Sequence, residues 1–165
     1  MNAGAVLKEI NANVQSKNYS EALTLCKNAE NNAEVAKSFL FWHAAGQCAV
    51  HCAERKAAVI YLQKATACEA PQPQHQKNLK LLSEVQEAMS AHADAAATLT
   101  KLYAIVREKM NVERMQALAQ CVHDNYCRCS GSAPLRLAGD FVFSHYELIR
   151  GLLSGSDGAA LTALV

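Results

Sequence analysis

Apolar residues recur every three to four positions along most of the chain, the spacing that places side chains on one face of an α-helix. The first such run contains Ala5, Val6, Ile10 and Val14, and Asn18 breaks it. The pattern predicts helices at about residues 5–14, 19–30, 34–52, 54–67, 74–90, 94–110, 112–126 and 134–153. No stretch of useful length shows the period of two that is typical of strands. We therefore expect an all-α fold of about eight helices, arranged as antiparallel helix hairpins.

The residues between these runs are ones that end or begin helices. Pro71 and Pro73 divide the chain near its middle, because proline cannot continue a helix interior. A polar loop at 130–132 precedes Pro134, and proline suits the first turn of a helix because its missing N–H would have no partner there. A short apolar tail at 159–165 follows the last predicted helix, and we expect it to pack on that helix.

Composition favours a folded chain, and the net charge argues against nucleic acid or an acidic membrane as a partner. Hydrophobic residues make up 51% of the 165, with only 7 glycines and 3 prolines, which favours one domain over 1–165 with a real core. A net charge of +1 gives no broad basic surface for nucleic acid or for an acidic membrane. The first residues lack the pattern of a signal peptide, and no uncharged apolar run approaches the roughly 18 residues of a membrane span. The odd number of cysteines, 7, favours reduced thiols and a cytoplasmic location.

The segment 39–72 carries a recurring set of small and large residues on two successive helices. In chain order these are Trp42, Gly46, Ala58, Leu62, Ala65 and Pro71. Two helices that cross closely need a small residue on one side and bulk on the other. The set resembles the tetratricopeptide repeat, a helical hairpin that stacks into superhelical arrays. An Ala-rich helical hairpin of no particular family is the alternative.

Weaker copies of the same pattern flank this segment. The preceding copy has Ile10 or Asn11 where the family has glycine, and its second helix carries Tyr19, Ala22, Cys26 and Ala29. A third, degenerate copy has Leu79, Leu82 and Ser83 followed by Ala95, Leu99 and Leu102. The resemblance thus extends over about 6–110, while 111–165 is divergent. The expected architecture is a tetratricopeptide-like superhelix or an α-α bundle.

The resemblance implies a site, because arrays of this family bind extended peptides on the concave face lined by the first helix of each repeat. The positions of this chain that match the groove of the family are His43, Gln47, Val50 and His51. Residues spaced by four lie about 40° apart around a helix, so His43, Gln47 and His51 form one stripe. Their side chains offer donors and acceptors to a partner peptide. A solvated polar helix face is the other interpretation of the same pattern.

The last predicted helix carries apolar residues around most of its circumference. We expect Phe141, Ile149 and Leu152 to lie in the core of the C-terminal half. Phe143 and Tyr146 are expected to form an exposed strip that docks a partner or a second copy of the chain, because a monomer rarely exposes so large an apolar surface.

Cysteine and histidine concentrate in one short segment, where Cys121, His123, Cys127 and Cys129 fall within 121–129. Zinc accepts four such ligands, but this spacing is not one of the usual paired patterns, so buried or idle thiols at a helix end are the favoured interpretation. A small metal- or redox-linked module on this segment is the alternative function. An α-helical enzyme with a dispersed site is another, although no phosphate-binding loop, metalloprotease motif or serine-hydrolase motif occurs.

The function expected from the sequence is therefore a non-enzymatic scaffold or adaptor. It would bind a peptide or helix of a partner protein, with no cofactor, no metal, no nucleic acid and no membrane. A homo-oligomer is possible through the last helix.

Overall fold

A computed structural model describes residues 3–109 and 111–155, with side chains as far as residue 151. Within those ranges the chain is all-α, and no residue forms a strand. The described residues form eight α-helices: α1 (Ala3–Gln15), α2 (Tyr19–Ala29), α3 (Phe39–His51), α4 (Arg55–Ala67), α5 (Gln72–Ala88), α6 (His92–Glu108), α7 (Val112–Arg128) and α8 (Ser132–Gly155). The predicted fold class and the predicted number of helices are confirmed. In the described residues no helix combines the length and apolar character needed to cross a membrane.

One predicted boundary is wrong. The sequence predicted a single helix from about residue 34, but the chain forms a 3-10 turn at Val35–Lys37 and begins α3 only at Phe39. Ser38 separates the two with extended backbone angles, φ −87 and ψ 118, and its hydroxyl accepts a hydrogen bond from the amide of Phe41. Such a cap satisfies one of the free amides at a helix start, so α3 begins where serine can provide it.

The first five helices belong to a compact unit, Met1–Ala91. Its most extensive helix pair is α3 with α4, while α2 packs against both α1 and α3, and α5 packs against α4. The largest fully buried side chains of this unit include Ile10, Val35, Phe41 and Leu62. Sequential helices therefore pack in chain order, as expected of hairpin repeats.

Close approach of α3 and α4 depends on Gly46. A Cβ atom at this position would lie 2.5 Å from Cδ2 and 2.6 Å from Cγ of Leu62. Trp42 lies one turn earlier on α3 and is buried, and its indole Nε1 donates to the carbonyl oxygen of Ala36 at 2.7 Å. The contact predicted from the sequence, glycine on α3 against leucine on α4 with a buried tryptophan beside it, is confirmed.

The turns that end α1, α3 and α5 have the same backbone geometry. Lys17, Ala53 and Ser90 each have a positive φ, at 61, 60 and 58°. The amide that follows each of them donates back across the turn, with distances of 2.8, 2.8 and 2.9 Å to the carbonyl oxygens of residues 13, 49 and 86. This is the Schellman arrangement that ends many helices. Because the turn recurs after 36 and then 37 residues, the fold has an internal repeat of that length.

Buried positions follow the same repeat. On the helix after each turn, the three residue sets at equivalent positions are Ala22, Cys26 and Ala29; Ala58, Leu62 and Ala65; and Ala95, Leu99 and Leu102, and all nine are buried. On the helix before each turn, Gly46 corresponds to Ile10 and Ser83, which are also buried. The register assigns Ile10, rather than Asn11, to the glycine position. In the α3–α4 hairpin the small residue Gly46 lies where the two helices meet, which is the physical requirement for their close crossing.

The remaining helices form a second unit, His92–Val165, in which α6 packs along α7 and α7 along α8. Met115 and Val122 of α7 are fully buried, and Ala138 is buried in α8. The third, degenerate copy of the pattern implied a hairpin of the helices predicted at 74–90 and 94–110, but these helices, α5 and α6, belong to different units. The expectation of one domain divided near residue 110 stays a prediction. The predicted tail at 159–165 and the side chain of Leu152 lie outside the described residues.

Candidate functional site

The predicted groove stripe begins with His43, which is half-buried and held by Asn78 of α5. The amide nitrogen of Asn78 donates to the carbonyl oxygen of Leu62 at 2.8 Å and to Oγ1 of Thr66 at 3.0 Å. Its Oδ1 therefore faces Nδ1 of His43, at 2.9 Å. An amide oxygen only accepts, so Nδ1 carries the hydrogen and Nε2 is the acceptor of the neutral ring. The buried network thus selects the tautomer that this histidine presents.

The other three predicted groove residues, Gln47, Val50 and His51, differ in how far they are buried. Gln47 is half-buried, and Val50 is half-buried against the core of the first unit. His51 is exposed, and its ring stacks on Tyr19 with centroids 3.8 Å apart and planes 10° apart. Both histidines of the stripe therefore make contacts within the chain, and partner binding by these four residues stays a prediction.

An apolar side chain that the sequence analysis did not assign lies on the same face. Leu40 precedes His43 by three positions and is 52% exposed. Residues three or four apart share a helix face, so Leu40, His43 and Gln47 form one surface. Leu40 stands in an apolar run between Phe39 and Phe41, which are both buried, so the sequence pattern did not distinguish it as the exposed member.

The predicted strip on α8 is exposed. Phe143 and Tyr146 are 67% and 63% accessible. Phe141 lies on the opposite side, half-buried, with its ring edge-on to Tyr103 at 5.2 Å between centroids. Ile149 is half-buried rather than fully buried. The helix therefore turns one face towards its own unit and leaves a second apolar face without a neighbour among the described residues.

The exposed face of α8 has a regular spacing. Leu135, Gly139, Val142, Tyr146 and Ile149 are separated by four, three, four and three residues. This is the spacing of the a and d positions that pack two helices together in a coiled coil. Leu135 and Val142 are exposed, and a Cβ atom at Gly139 would meet no atom within 4 Å. We call these five residues the α8 seam.

The thiols of the cysteine-rich segment at the end of α7 do not converge on one point. Cys121 and Cys127 are exposed, and the thiol of Cys127 lies 3.5 Å from Nε2 of His123. The thiol of Cys129 donates instead to the carbonyl oxygen of Asn125 at 3.4 Å. In the part of the chain that the structure describes, no three histidine, cysteine or acidic side chains are placed to hold a metal ion.

A second polar cluster, on α6 and α8, was missed by the sequence analysis. The phenol of Tyr103 lies 2.6 Å from Nδ1 of His145, 42 residues away in the chain. Burial raises the pKa of Tyr103, against a smaller lowering by the nearby Arg107, and burial lowers the pKa of His145. No local motif joins residues so far apart, so only the packing of α8 could reveal the pair.

Comparison with known proteins adds no family to this description. No protein-family model matches the chain, and no curated protein is significantly similar to it.

Proposed function

We propose that this protein is a non-catalytic adaptor of the cytoplasm that binds a helix of a partner protein. The observation that carries the proposal is the α8 seam together with Phe143 beside it, an apolar face that no other described residue covers. Monomeric proteins rarely expose contiguous apolar surface of this kind, and such patches mark sites of association. The a and d spacing favours a helix as the occupant, because knobs of a second helix fit the gaps of a seam with that period.

The repeated hairpins support the same class of function. Stacked helical hairpins bury their apolar faces against neighbours and leave extended surfaces for partners. The close contact of Gly46 with Leu62 and the buried Trp42 are features expected of a tetratricopeptide-like array. The repeat of 36 and 37 residues departs from that family, whose repeat is about 34 residues long. Because of the first two features, we propose that residues 6–110 are related to the tetratricopeptide repeat family.

The stripe on α3 is proposed as a second binding surface, for an extended peptide. Leu40 supplies exposed apolar area there, and His43 supplies an acceptor held in place by the buried Asn78. Gln47 and His51 complete the row. The two surfaces would bind different kinds of segment. The α8 seam suits an apolar helix face, and the α3 stripe suits the backbone amides and carbonyls of an extended peptide.

Affinity capture with quantitative mass spectrometry tests the seam. Phe143→Glu and Tyr146→Glu place a charge on the proposed interface, so a partner held by the seam should be depleted from both captures. Ile60→Glu is the matched control, because Ile60 is an exposed apolar residue of α4, 52% accessible, outside both surfaces. Circular dichroism of each variant should match that of the unaltered chain, since the substituted side chains are exposed.

The proposal fails if every protein captured by the unaltered chain is captured equally by both α8 variants while Ile60→Glu behaves the same. Light scattering decides whether the partner is a second copy. A dimer that Phe143→Glu converts to a monomer would identify the occupant as the same chain. Loss of folding on that substitution would show instead that Phe143 belongs to the core.

A further inference from the structure

A cleft of about 210 Å³ lies between α6 and α8, on the side of α8 away from the seam. Its apolar lining comes from Ala104 of α6 and from Phe141 and Leu148 of α8. Its polar lining includes Arg107 and His145. Sites for drug-sized ligands are typically about 300–1,000 Å³, so this cleft suits a smaller molecule.

The hydrogen bond between Tyr103 and His145 sets which donors this cleft offers. Burial raises the pKa of the phenol and lowers the pKa of the imidazole, so both groups are neutral near pH 7. Their separation of 2.6 Å is short for N–H···O and ordinary for a hydroxyl donor. When the phenol donates to Nδ1, the neutral ring of His145 carries its hydrogen on Nε2. His145 lines the cleft, so we assign this N–H as the neutral donor of the site.

Arg107 adds a positive charge that has no counterion among the described residues. Arg107 lines the cleft from the last turn of α6, and its guanidinium forms no hydrogen bond or ion pair with another described residue. A guanidinium presents parallel donors that match a carboxylate in a bidentate pair. The cleft therefore combines one strong anion-binding group, one neutral donor and an apolar wall.

We infer that this cleft binds a small monocarboxylate with a compact apolar body. The carboxylate would pair with Arg107 and accept from His145, while the body of the ligand would lie against Phe141 and Leu148. A single positive charge and a partly apolar lining suit a monoanion better than a phosphate, because a dianion would lose water without enough donors to replace it. A neutral ligand of the same shape would leave the guanidinium without a partner. The site is distinct from the two protein-binding surfaces proposed above.

Benzoate and its neutral isostere benzamide test the inference on the unaltered full chain. Nuclear magnetic resonance titration to millimolar concentrations should show saturable shifts of the His145 ring and of the Tyr103 signals with benzoate. Benzamide should bind at least about tenfold more weakly, because it lacks the charge that pairs with arginine. Benzoate should also bind at least about tenfold more weakly to Arg107→Gln. Arg128→Gln is the matched control: Arg128 is exposed in the last turn of α7 and does not line the cleft, so affinity should be unchanged.

Three results would overturn the inference. Equal affinities for benzoate and benzamide would show an apolar cleft without carboxylate selectivity. Unchanged affinity in Arg107→Gln would remove arginine from the site. The absence of any saturable shift would show that the cleft binds no ligand of this class. The comparison of the two ligands needs no substitution, so it holds even if a variant folds poorly.

Discussion

Substitution of Gly46 by alanine would test the closest helix contact in the protein. The added Cβ would lie 2.5 Å from Cδ2 and 2.6 Å from Cγ of Leu62, distances that real Cβ atoms do not show. Leu62 is fully buried, so its side chain cannot swing into solvent to make room. Either Leu62 leaves its rotamer or α3 and α4 move apart, and both disturb the layer that contains Trp42.

Two opposing effects set the magnitude. Overpacking of a core contact costs about 1–3 kcal/mol, and the added Cβ would meet the branched Cγ of Leu62 as well as its terminal Cδ2, so we take the upper part of that range. Alanine in a helix interior stabilises by about 0.5–1 kcal/mol relative to glycine. The net expectation is a loss of about 1–2 kcal/mol in the free energy of unfolding.

Urea unfolding followed by tryptophan fluorescence measures this free energy, because Trp42 is the single tryptophan of the chain and lies one turn from the substitution. Gly139→Ala in α8 is the control, followed by circular dichroism. A Cβ there meets no atom within 4 Å, so only the helix-propensity gain of about 0.5–1 kcal/mol should remain. The two substitutions are chemically identical and should have opposite signs.

A double-mutant cycle with Leu62→Ala tests the contact itself. That substitution alone should cost about 2–5 kcal/mol through the cavity it leaves. Combined with Gly46→Ala it removes the clash, so the double variant should be more stable than the sum of the single effects predicts. Additive effects, or a Gly46→Ala protein at least as stable as the unaltered chain, would refute the close approach of α3 and α4.

The remaining predictions concern titratable groups. Burial, with a smaller effect of neighbouring thiols, raises the pKa of Cys26 to about 12 and of Cys48 to about 11, so iodoacetamide at mildly alkaline pH should leave both unmodified in the folded chain while the exposed Cys127 reacts. Peptide mass spectrometry reads this out, and rapid alkylation of Cys26 would contradict its burial. Burial lowers the pKa of His145, so the unfolded state takes up more protons and stability should fall as pH drops from about 6.5 through the lower folded pKa. Urea unfolding at several pH values gives the free energy of unfolding as a function of pH. This free energy should depend less steeply on pH in His145→Gln than in the unaltered chain. The same dependence in both would contradict a lowered pKa for His145 in the folded chain.

The sequence by itself determined the features that depend on local pattern. Helical periodicity and the prolines near residue 72 were sufficient to predict eight helices, because both act within a few residues of the chain. The contact of Gly46 with Leu62 was also predictable, since a glycine one turn after a tryptophan, opposite a small–large–small row, has few other uses in a helix pair. The sequence pattern also placed Ala22, Ala58 and Ala95 at equivalent positions of the three copies, and all three are buried.

Only the tertiary structure decided the features that join distant residues or choose between helix faces. The link between His43 and Asn78 spans 35 residues, and the one between Tyr103 and His145 spans 42, so no local spacing predicts either. The apolar residues of α8 surround the helix, and the sequence could not divide them fully. Ile149, expected in the core, is only half-buried, because α7 and Tyr103 cover one side of the helix and no other described residue covers the seam.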